Sequence, residues 1–111
     1  MFQNMTNLKK YPVIGQRLAD VRLALHPELS IQDFTVFLGV KYTQYLNWES
    51  GLNRPTPDQA EVLCDKLGLS MDFIYRGKEA QLAQKTLKAL ISRSRDSAQS
   101  TSTESPDDSA A

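Results

Sequence analysis

The chain has 111 residues, a length that suits one compact domain, and its 13 lysines and arginines balance 13 aspartates and glutamates. Its single cysteine, Cys64, excludes an intramolecular disulfide and fits a reducing cytoplasm. No apolar run approaches the roughly 18 residues of a membrane span, and the N-terminus lacks the apolar core of a signal peptide, so we expect a soluble cytoplasmic protein.

The balanced total hides an uneven distribution of charge along the chain. Residues 1–95 hold all 13 basic residues and nine acidic ones, which leaves a surplus of four positive charges. Residues 96–111 hold the other four acidic residues and no base, are rich in Ser and Thr, and have no large apolar residue. Such a segment buries too little surface to offset its ordering entropy, so we predict a disordered acidic tail there. The remaining, mildly basic domain is compatible with nucleic-acid binding.

The first predicted helix follows a polar stretch, residues 1–11, which we interpret as a flexible N-terminal arm. Pro12 suits a first helical turn, and Pro27 ends the pattern because the residue before a proline is disfavoured in a helix. Apolar residues between them recur at spacings that place them on one helical face. These residues are Ile14, Leu18, Val21 and Leu25.

Two short helices are predicted next, separated by a turn at Gly39, which takes a positive φ at low cost. Ser30 is a suitable N-cap for the second helix, with Asp33 at the third position. The third helix begins near Lys41 or Tyr42 and ends at Gly51. The side chains expected to face inward are Phe34, Phe37 and Leu38 from the second helix, and Tyr45 and Trp48 from the third, with Leu46 as a further candidate.

Helices four and five follow a loop. Thr56, Pro57 and Gln59 supply the N-cap, first-turn proline and capping box of the fourth helix, which Gly68 ends. Ser70 caps a brief fifth helix, whose inward residues should be Phe73 and Ile74.

A sixth helical pattern covers residues 78–95. Its apolar residues follow a heptad-like spacing for less than three heptads. They are Ala80, Ala83, Leu87 and Leu90. Two interpretations stay open, since this helix either packs on the domain or forms a dimer.

The pattern over residues 30–51, two short helices joined by a turn that contains glycine, is typical of a helix-turn-helix motif. With one helix before it and two after it, the order resembles the lambda-repressor-like family of DNA-binding domains, also described as Cro/C1-type or xenobiotic-response-element domains. The segments that carry the resemblance are "IGQRLADVR", "FLGV", "NWESG" and "RPTPDQAEVLCDKLGLSMDFI". The resemblance implies an all-α fold, with a five-helix helix-turn-helix domain over residues 12–77 and an extra C-terminal helix.

The resemblance also implies how the domain holds and uses its third helix. A structural ion pair is expected between Arg17 of the first helix and Glu49 at the end of the third. The third helix is expected in the major groove of double-stranded DNA. Base contacts are assigned to Lys41, Tyr42, Thr43, Gln44 and Asn47, and contacts with the DNA backbone to Ser30, Gln32 and Arg54. Lys9 and Lys10 either reach the DNA backbone or remain solvated.

The function implied is a sequence-specific transcriptional regulator of the repressor type, which binds a palindromic operator as a homodimer and needs no cofactor. The alternative is a protein-interaction module on the same fold with weak or lost DNA binding. The low charge of the third helix favours the alternative, as does Ile31, where the family often has glutamine. We expect no enzyme, because His26 is the only histidine and Cys64 lies on an apolar helical stripe.

Overall fold

A computed structural model describes residues 9–96, and within that range the protein has six helices and no strand. The helices are α1 (Pro12–Leu25), α2 (Ile31–Leu38), α3 (Tyr42–Glu49), α4 (Pro57–Leu67), α5 (Met71–Arg76) and α6 (84–96). The predicted all-α fold is therefore confirmed, and no helix in the described range is long and apolar enough to cross a membrane. The predicted arm and acidic tail lie outside the described residues, apart from residues 9–11 and 96.

The helix ends carry the capping residues that the sequence predicts. Ser30 and Ser70 each accept a backbone N–H bond through the side-chain oxygen, at 3.0 Å, at the starts of α2 and α5. Thr56 and Gln59 form a reciprocal capping box at the start of α4. At the end of α3, Gly51 has a φ of 86°, and a Cβ there would lie 2.9 Å from the backbone of α1. Glycine is required at this position by its conformation and by the close approach of α1.

The core is a single cluster to which α1 through α5 each contribute buried side chains. Its largest members are Trp48, Tyr45 and Phe34, each at most 1% exposed. Their rings meet edge to face, with centroids 5.5 Å apart for Phe34 and Tyr45 and 5.8 Å apart for Tyr45 and Trp48. Aromatic side chains bury the largest apolar areas, so this group fixes α3 against the core. The inward positions predicted for Tyr45 and Trp48 are confirmed.

Phe37 is a correction to the predicted core. The spacing placed it on the buried face of α2 with Phe34, but its side chain is 38% exposed. Its ring lies 4.9 Å from that of His26, and the Lys66 ammonium lies 5.4 Å from its centroid. An eight-residue helix presents only a narrow stripe to the core, so Phe37 falls at the edge of that stripe and packs against polar side chains of neighbouring segments.

The C-terminal region differs most from its prediction. Residues 78–83 form an irregular turn, so α6 begins at residue 84 and not near residue 78. Ala80 and Ala83 precede the helix and are exposed, while Leu87 and Leu90 pack against the core. The predicted heptad seam is therefore wrong, because its four residues do not share one free helical face. Packing on the domain is the arrangement observed.

Two hydrogen bonds explain why the chain turns before α6. The backbone N–H of Ala83 donates to the carbonyl of Gly68 at 2.9 Å. The buried hydroxyl of Thr86 donates to the carbonyl of Leu67 at 2.6 Å. Both carbonyls belong to the C-terminal end of α4, where backbone acceptors lack partners inside the helix. A helix that began near residue 78 would use the Ala83 N–H internally and leave the Gly68 carbonyl without this donor.

Helix α3 runs back along α1 in close contact. A Cβ added to Gly15 in α1 would lie 2.3 Å from the carbonyl oxygen of Glu49, so the two backbones nearly touch. The N–H of Tyr11 donates to the carbonyl of Gly51 at 2.9 Å, which places the end of α3 beside the start of α1. Tyr11 also packs against the core, so the flexible arm predicted over residues 1–11 does not include it. These contacts fix the position of α3 relative to α1.

Candidate nucleic-acid interface

The outer face of α3 presents the five side chains assigned to base contact. Lys41, Tyr42 and Thr43 are exposed, and Gln44 and Asn47 are half-buried. None of the five side chains makes a hydrogen bond to another part of residues 9–96. Their donors and acceptors are therefore available to an external partner.

The chemistry of this face suits base edges better than phosphates. The Gln44 and Asn47 amides each offer a donor and an acceptor, which can match the paired groups on the major-groove edge of adenine. Thr43 adds a hydroxyl and a methyl group, and Lys41 adds the only charge. Since amides and hydroxyls can discriminate among bases without carrying a charge, the sparse charge of α3 is compatible with a reading role.

The loop after α3 folds back onto the helix and adds a residue that the sequence interpretation missed. The carbonyl of Asn47 accepts from the N–H groups of Leu52 and Asn53, at 3.0 and 3.1 Å. It also accepts from the Ser50 hydroxyl at 3.2 Å. These bonds hold Asn53, which is exposed, next to the C-terminal part of the outer face. No spacing rule indicates this return of the chain, because it depends on the positive φ of Gly51.

Arg54, assigned to the DNA backbone, is held between two aromatic rings. Its guanidinium carbon lies 5.0 Å from the centroid of Tyr11 and 5.6 Å from that of Tyr75. The Tyr75 hydroxyl donates to the carbonyl of Pro55 at 2.7 Å, and burial raises the pKa of Tyr75. Cation–π contacts of this kind orient a guanidinium without neutralising it. Arg54 remains exposed, so its charge is available at the surface.

Lys9 and Lys10 join Arg54 in a basic cluster. Both lysines are exposed, and they directly precede Tyr11, whose ring contacts Arg54 and whose backbone bonds to Gly51. The three residues Lys9, Lys10 and Arg54 therefore gather beside the C-terminal end of α3. In the sequence Arg54 follows Lys10 by 44 residues, and the contact of Tyr11 with the end of α3 brings Arg54 close to the two lysines.

The other two residues assigned to the DNA backbone lie at the start of α2. Ser30 is exposed, but its side-chain oxygen already accepts the N–H of Asp33 as the N-cap. Gln32 is exposed, and its side chain makes no hydrogen bond within the described range. Ile31, between them, packs against the core. Of Ser30 and Gln32, only Gln32 has a side chain whose hydrogen-bonding groups are unused within the described range, so it is the better candidate for an external contact.

A polar network ties the inner side of α3 to α1, and it corrects one predicted pair. Glu49 accepts from Arg22, at 2.8 Å from Nε and 3.2 Å from Nη2, and not from Arg17. The Tyr45 hydroxyl donates to the same carboxylate. The side chains of Arg22 and Glu49 are each 12% exposed, so the pair is largely removed from water. A two-pronged guanidinium–carboxylate contact of this kind fixes orientation as well as distance.

The reason for the correction lies in the direction of the side chains. In a helix the Cα–Cβ bond tilts toward the N-terminus, so Glu49 leans back along α3 toward Tyr45. Because α3 runs back along α1, that direction leads toward the C-terminal half of α1, where Arg22 lies. Arg17 instead donates from Nη1 to the carbonyl of Ile74 at 3.1 Å.

The network also changes the acid–base properties of its members. The hydrogen bond that Arg22 donates to Glu49 raises the pKa of Arg22, against the opposing effect of burial. Burial, with the nearby charge of Glu49, raises the pKa of Tyr45 well above its ordinary value. Tyr45 therefore stays a hydrogen-bond donor over a wide range of pH, and Arg22 stays charged.

Cys64 and His26, whose side-chain types are common in catalysis, do not belong to the outer face of α3. Cys64 is half-buried against the core, and burial raises the pKa of its thiol, which opposes nucleophilic reactivity. The His26 ring packs against Phe37. Over residues 9–96 no three His, Cys, Asp or Glu side chains are grouped so that they could hold a metal ion.

Comparison with protein-family models, with curated proteins and with solved structures gives no match for this chain.

Proposed function

We propose that the chain is a lambda-repressor-like helix-turn-helix domain that binds double-stranded DNA sequence-specifically and acts as a transcriptional regulator of the repressor type. One observation carries the proposal. A short helix, α3, is fixed to the core and to α1 on one side. On the other side, α3 and its N-cap Lys41 present five polar side chains that have no hydrogen-bond partner within residues 9–96. A surface that reads bases needs this combination, because the reading groups must be free while their positions are fixed.

In the proposed complex α3 lies in the major groove. Gln44 bonds an adenine in bidentate fashion, and Lys41 reaches a guanine or a phosphate. Thr43 and Asn47 extend the reading surface, and Tyr42 meets sugar or phosphate at its edge. The basic cluster of Lys9, Lys10 and Arg54 contacts phosphates beside the end of α3, and Gln32 does so at the start of α2.

Homodimer formation on a palindromic operator belongs to the same proposal. One domain reads only a few base pairs, and two half-sites about one helical turn apart supply the rest. Leu87 and Leu90 are engaged with the core, so a dimer would use a surface other than the predicted seam.

The test is selection of bound duplexes from a random pool at low salt, followed by affinity measurements over a range of salt concentrations. We expect a palindromic sequence to be enriched. The logarithm of its affinity should fall with the logarithm of the salt concentration with a slope of about −0.9 per phosphate contact. Absence of any enriched duplex, together with weak binding at every salt concentration, would overturn the proposal.

A protein-interaction module on the same fold is the second candidate. Two apolar side chains favour it, since Tyr42 is 44% exposed and Leu52 is 41% exposed at the two ends of α3. Aromatic residues are enriched at protein interfaces. The selection experiment separates the candidates, because a protein-binding face has no reason to enrich one duplex sequence or to release it steeply with salt.

A further inference from the structure

A pocket between α1, the C-terminal end of α5 and α6 uses none of the residues assigned to DNA. Its volume is about 400 Å³, within the range of roughly 300–1,000 Å³ typical of small-molecule sites. The lining combines two guanidinium groups, two carboxylates and two apolar side chains. The residues that supply them are Arg17, Arg93, Asp20, Glu79, Phe73 and Leu90.

Arg17 is the most informative of these residues. It is half-buried, and its one hydrogen bond within residues 9–96 goes to the Ile74 carbonyl. Its guanidinium lies flat against Gly77, where an added Cβ would approach Nη2 to 2.8 Å and Nε to 3.0 Å. No carboxylate of the described range lies within ion-pair distance of it. A half-buried cation with spare N–H donors and no counterion favours an anionic ligand group.

The second guanidinium and the carboxylates are also incompletely used. Arg93 approaches Asp20 only to 3.7 Å, and Asp20 accepts a hydrogen bond from Gln16 at 3.0 Å. Glu79 is exposed and forms no ion pair with another described residue. The pocket therefore offers two positive and two negative groups, each with capacity for a further contact.

The apolar part of the pocket lining consists of two side chains that pack against the core. Phe73 is 5% exposed, and Leu90 packs partly buried against the core cluster. Together they give the pocket an apolar wall beside its charged rim, so a ligand that fits the whole lining has an apolar part as well as charged groups.

We propose that this pocket binds a small zwitterion of the α-amino-acid class with an apolar side chain. The ligand carboxylate accepts from Arg17 and Arg93, its ammonium group donates to Glu79 or Asp20, and its side chain packs on Phe73 and Leu90. A ligand with a carboxylate alone would bring its charge close to Glu79 and Asp20 without compensation. A ligand with an amine alone would bring its positive charge close to Arg17 and Arg93, again without compensation. Only the zwitterion pairs both signs of charge.

This site is independent of the proposed DNA function. A ligand there would connect α1, the end of α5 and α6, which approach one another at the pocket through Arg17, Gly77 and Arg93. Its binding can therefore be measured on the full chain without any duplex present.

The test compares three probes by nitrogen–proton NMR correlation spectra of the full chain. The probes are L-phenylalanine, phenylpropionate, which lacks the ammonium group, and phenethylamine, which lacks the carboxylate. We expect L-phenylalanine to give saturable shifts at the pocket residues and each analogue to bind at least about tenfold more weakly, since each loses one charge-assisted contact. Absence of saturable shifts with all three probes overturns the site. Equal binding of L-phenylalanine and either analogue overturns the assignment to a zwitterion.

Variants locate the binding. R93Q and E79Q alter side chains on the rim and leave the core intact, so both should fold and weaken L-phenylalanine binding about tenfold. R17Q should weaken it as well, but it also loses the bond to Ile74 and serves only as a supporting variant. R76Q is the matched control, because Arg76 is an exposed arginine of α5 that does not line the pocket. Binding by R93Q and E79Q at the level of R76Q would overturn the proposal.

Discussion

The two sides of α3 are built from opposite chemistry. On the inner side, Tyr45 and Trp48 are each 1% exposed, and Glu49 is bonded to α1 and to Tyr45. On the outer side, the side-chain amides of Gln44 and Asn47 have no hydrogen-bond partner within the described residues. A helix of eight residues is too short to be stable alone, so the inner side supplies the order on which the outer side depends.

This difference leads to a clear division of expected effects. Substitutions on the inner side should lower stability and change the proposed DNA binding only through the position of α3. Substitutions on the outer side should leave stability nearly unchanged and act directly on sequence preference.

The G15A substitution should have the largest effect on stability. Its Cβ would lie 2.3 Å from the Glu49 carbonyl oxygen and 2.8 Å from that of Trp48, both backbone atoms that cannot move independently. We expect a loss of about 3 kcal/mol in the free energy of unfolding, measured by urea denaturation.

The matched control for that substitution is G39A. Gly39 lies in the turn between α2 and α3, where nothing lies within 4 Å of an added Cβ, so the only cost is its φ of 79°. We expect a loss of about 1 kcal/mol for G39A. Equal losses for G15A and G39A would show that the close approach of α1 and α3 is not a main source of stability.

The R22Q substitution should come next. It leaves the Glu49 carboxylate largely buried with only the Tyr45 hydroxyl as donor, so we expect a loss of about 2–3 kcal/mol in urea denaturation. R76Q is the control, since Arg76 and Asp72 form an exposed pair, 66% and 49% accessible, whose loss should be hard to detect. A loss for R22Q no larger than that for R76Q would contradict the anchoring role.

The Arg22 network shows where sequence reasoning about this fold succeeds and where it stops. Local signals such as the capping box of Thr56 and the end of α3 at Gly51 predict helix boundaries well, because neighbouring residues decide them. The choice between Arg17 and Arg22 as the partner of Glu49 depends on the direction in which α3 crosses α1. That direction is a tertiary property, which no spacing along one helix contains.

The same limit applies to the candidate site and to α6. The outer residues of α3 follow from helical periodicity once Tyr45 and Trp48 are placed inside, so most of the residues proposed to contact bases could be predicted. The basic cluster could not, because it depends on the long-range bond between Tyr11 and Gly51. The start of α6 at residue 84 likewise depends on the acceptors at the end of α4, which capture Thr86 and the Ala83 N–H.

The Y45F substitution should have a smaller effect that depends on pH. It removes one hydrogen bond to Glu49 and keeps the ring, so we expect a loss of about 1 kcal/mol at neutral pH. Burial raises the pKa of Tyr45, so above pH of about 10 an unfolded chain releases this proton while the folded chain retains it. The unfolded state then binds fewer protons, and stability should fall with rising pH by about 1.4 kcal/mol per unit from this group.

Urea denaturation between neutral pH and pH of about 11 measures that slope for the unmodified protein and for Y45F. The variant should lose stability less steeply at alkaline pH. Y42F, which removes an exposed hydroxyl of the same helix, is the control for the loss of one tyrosine. Parallel curves for Y45F and the unmodified protein would contradict the account of the buried hydroxyl.

The smallest effects on stability should come from the outer side, where Q44A and R54A divide the proposed roles. Q44A should change the free energy of unfolding by no more than about 0.5 kcal/mol. R54A should lower it by no more than about 1 kcal/mol, because it also removes exposed cation–π contacts with Tyr11 and Tyr75. On selected duplexes, Q44A should relax preference at one base pair, a loss of about 1–3 kcal/mol in discrimination. R54A should instead weaken all duplexes about equally and reduce the salt slope by about one, because Arg54 is assigned to phosphate. If both variants change affinity in the same way, the separation between the reading face and the basic cluster is wrong, even where DNA binding itself is established.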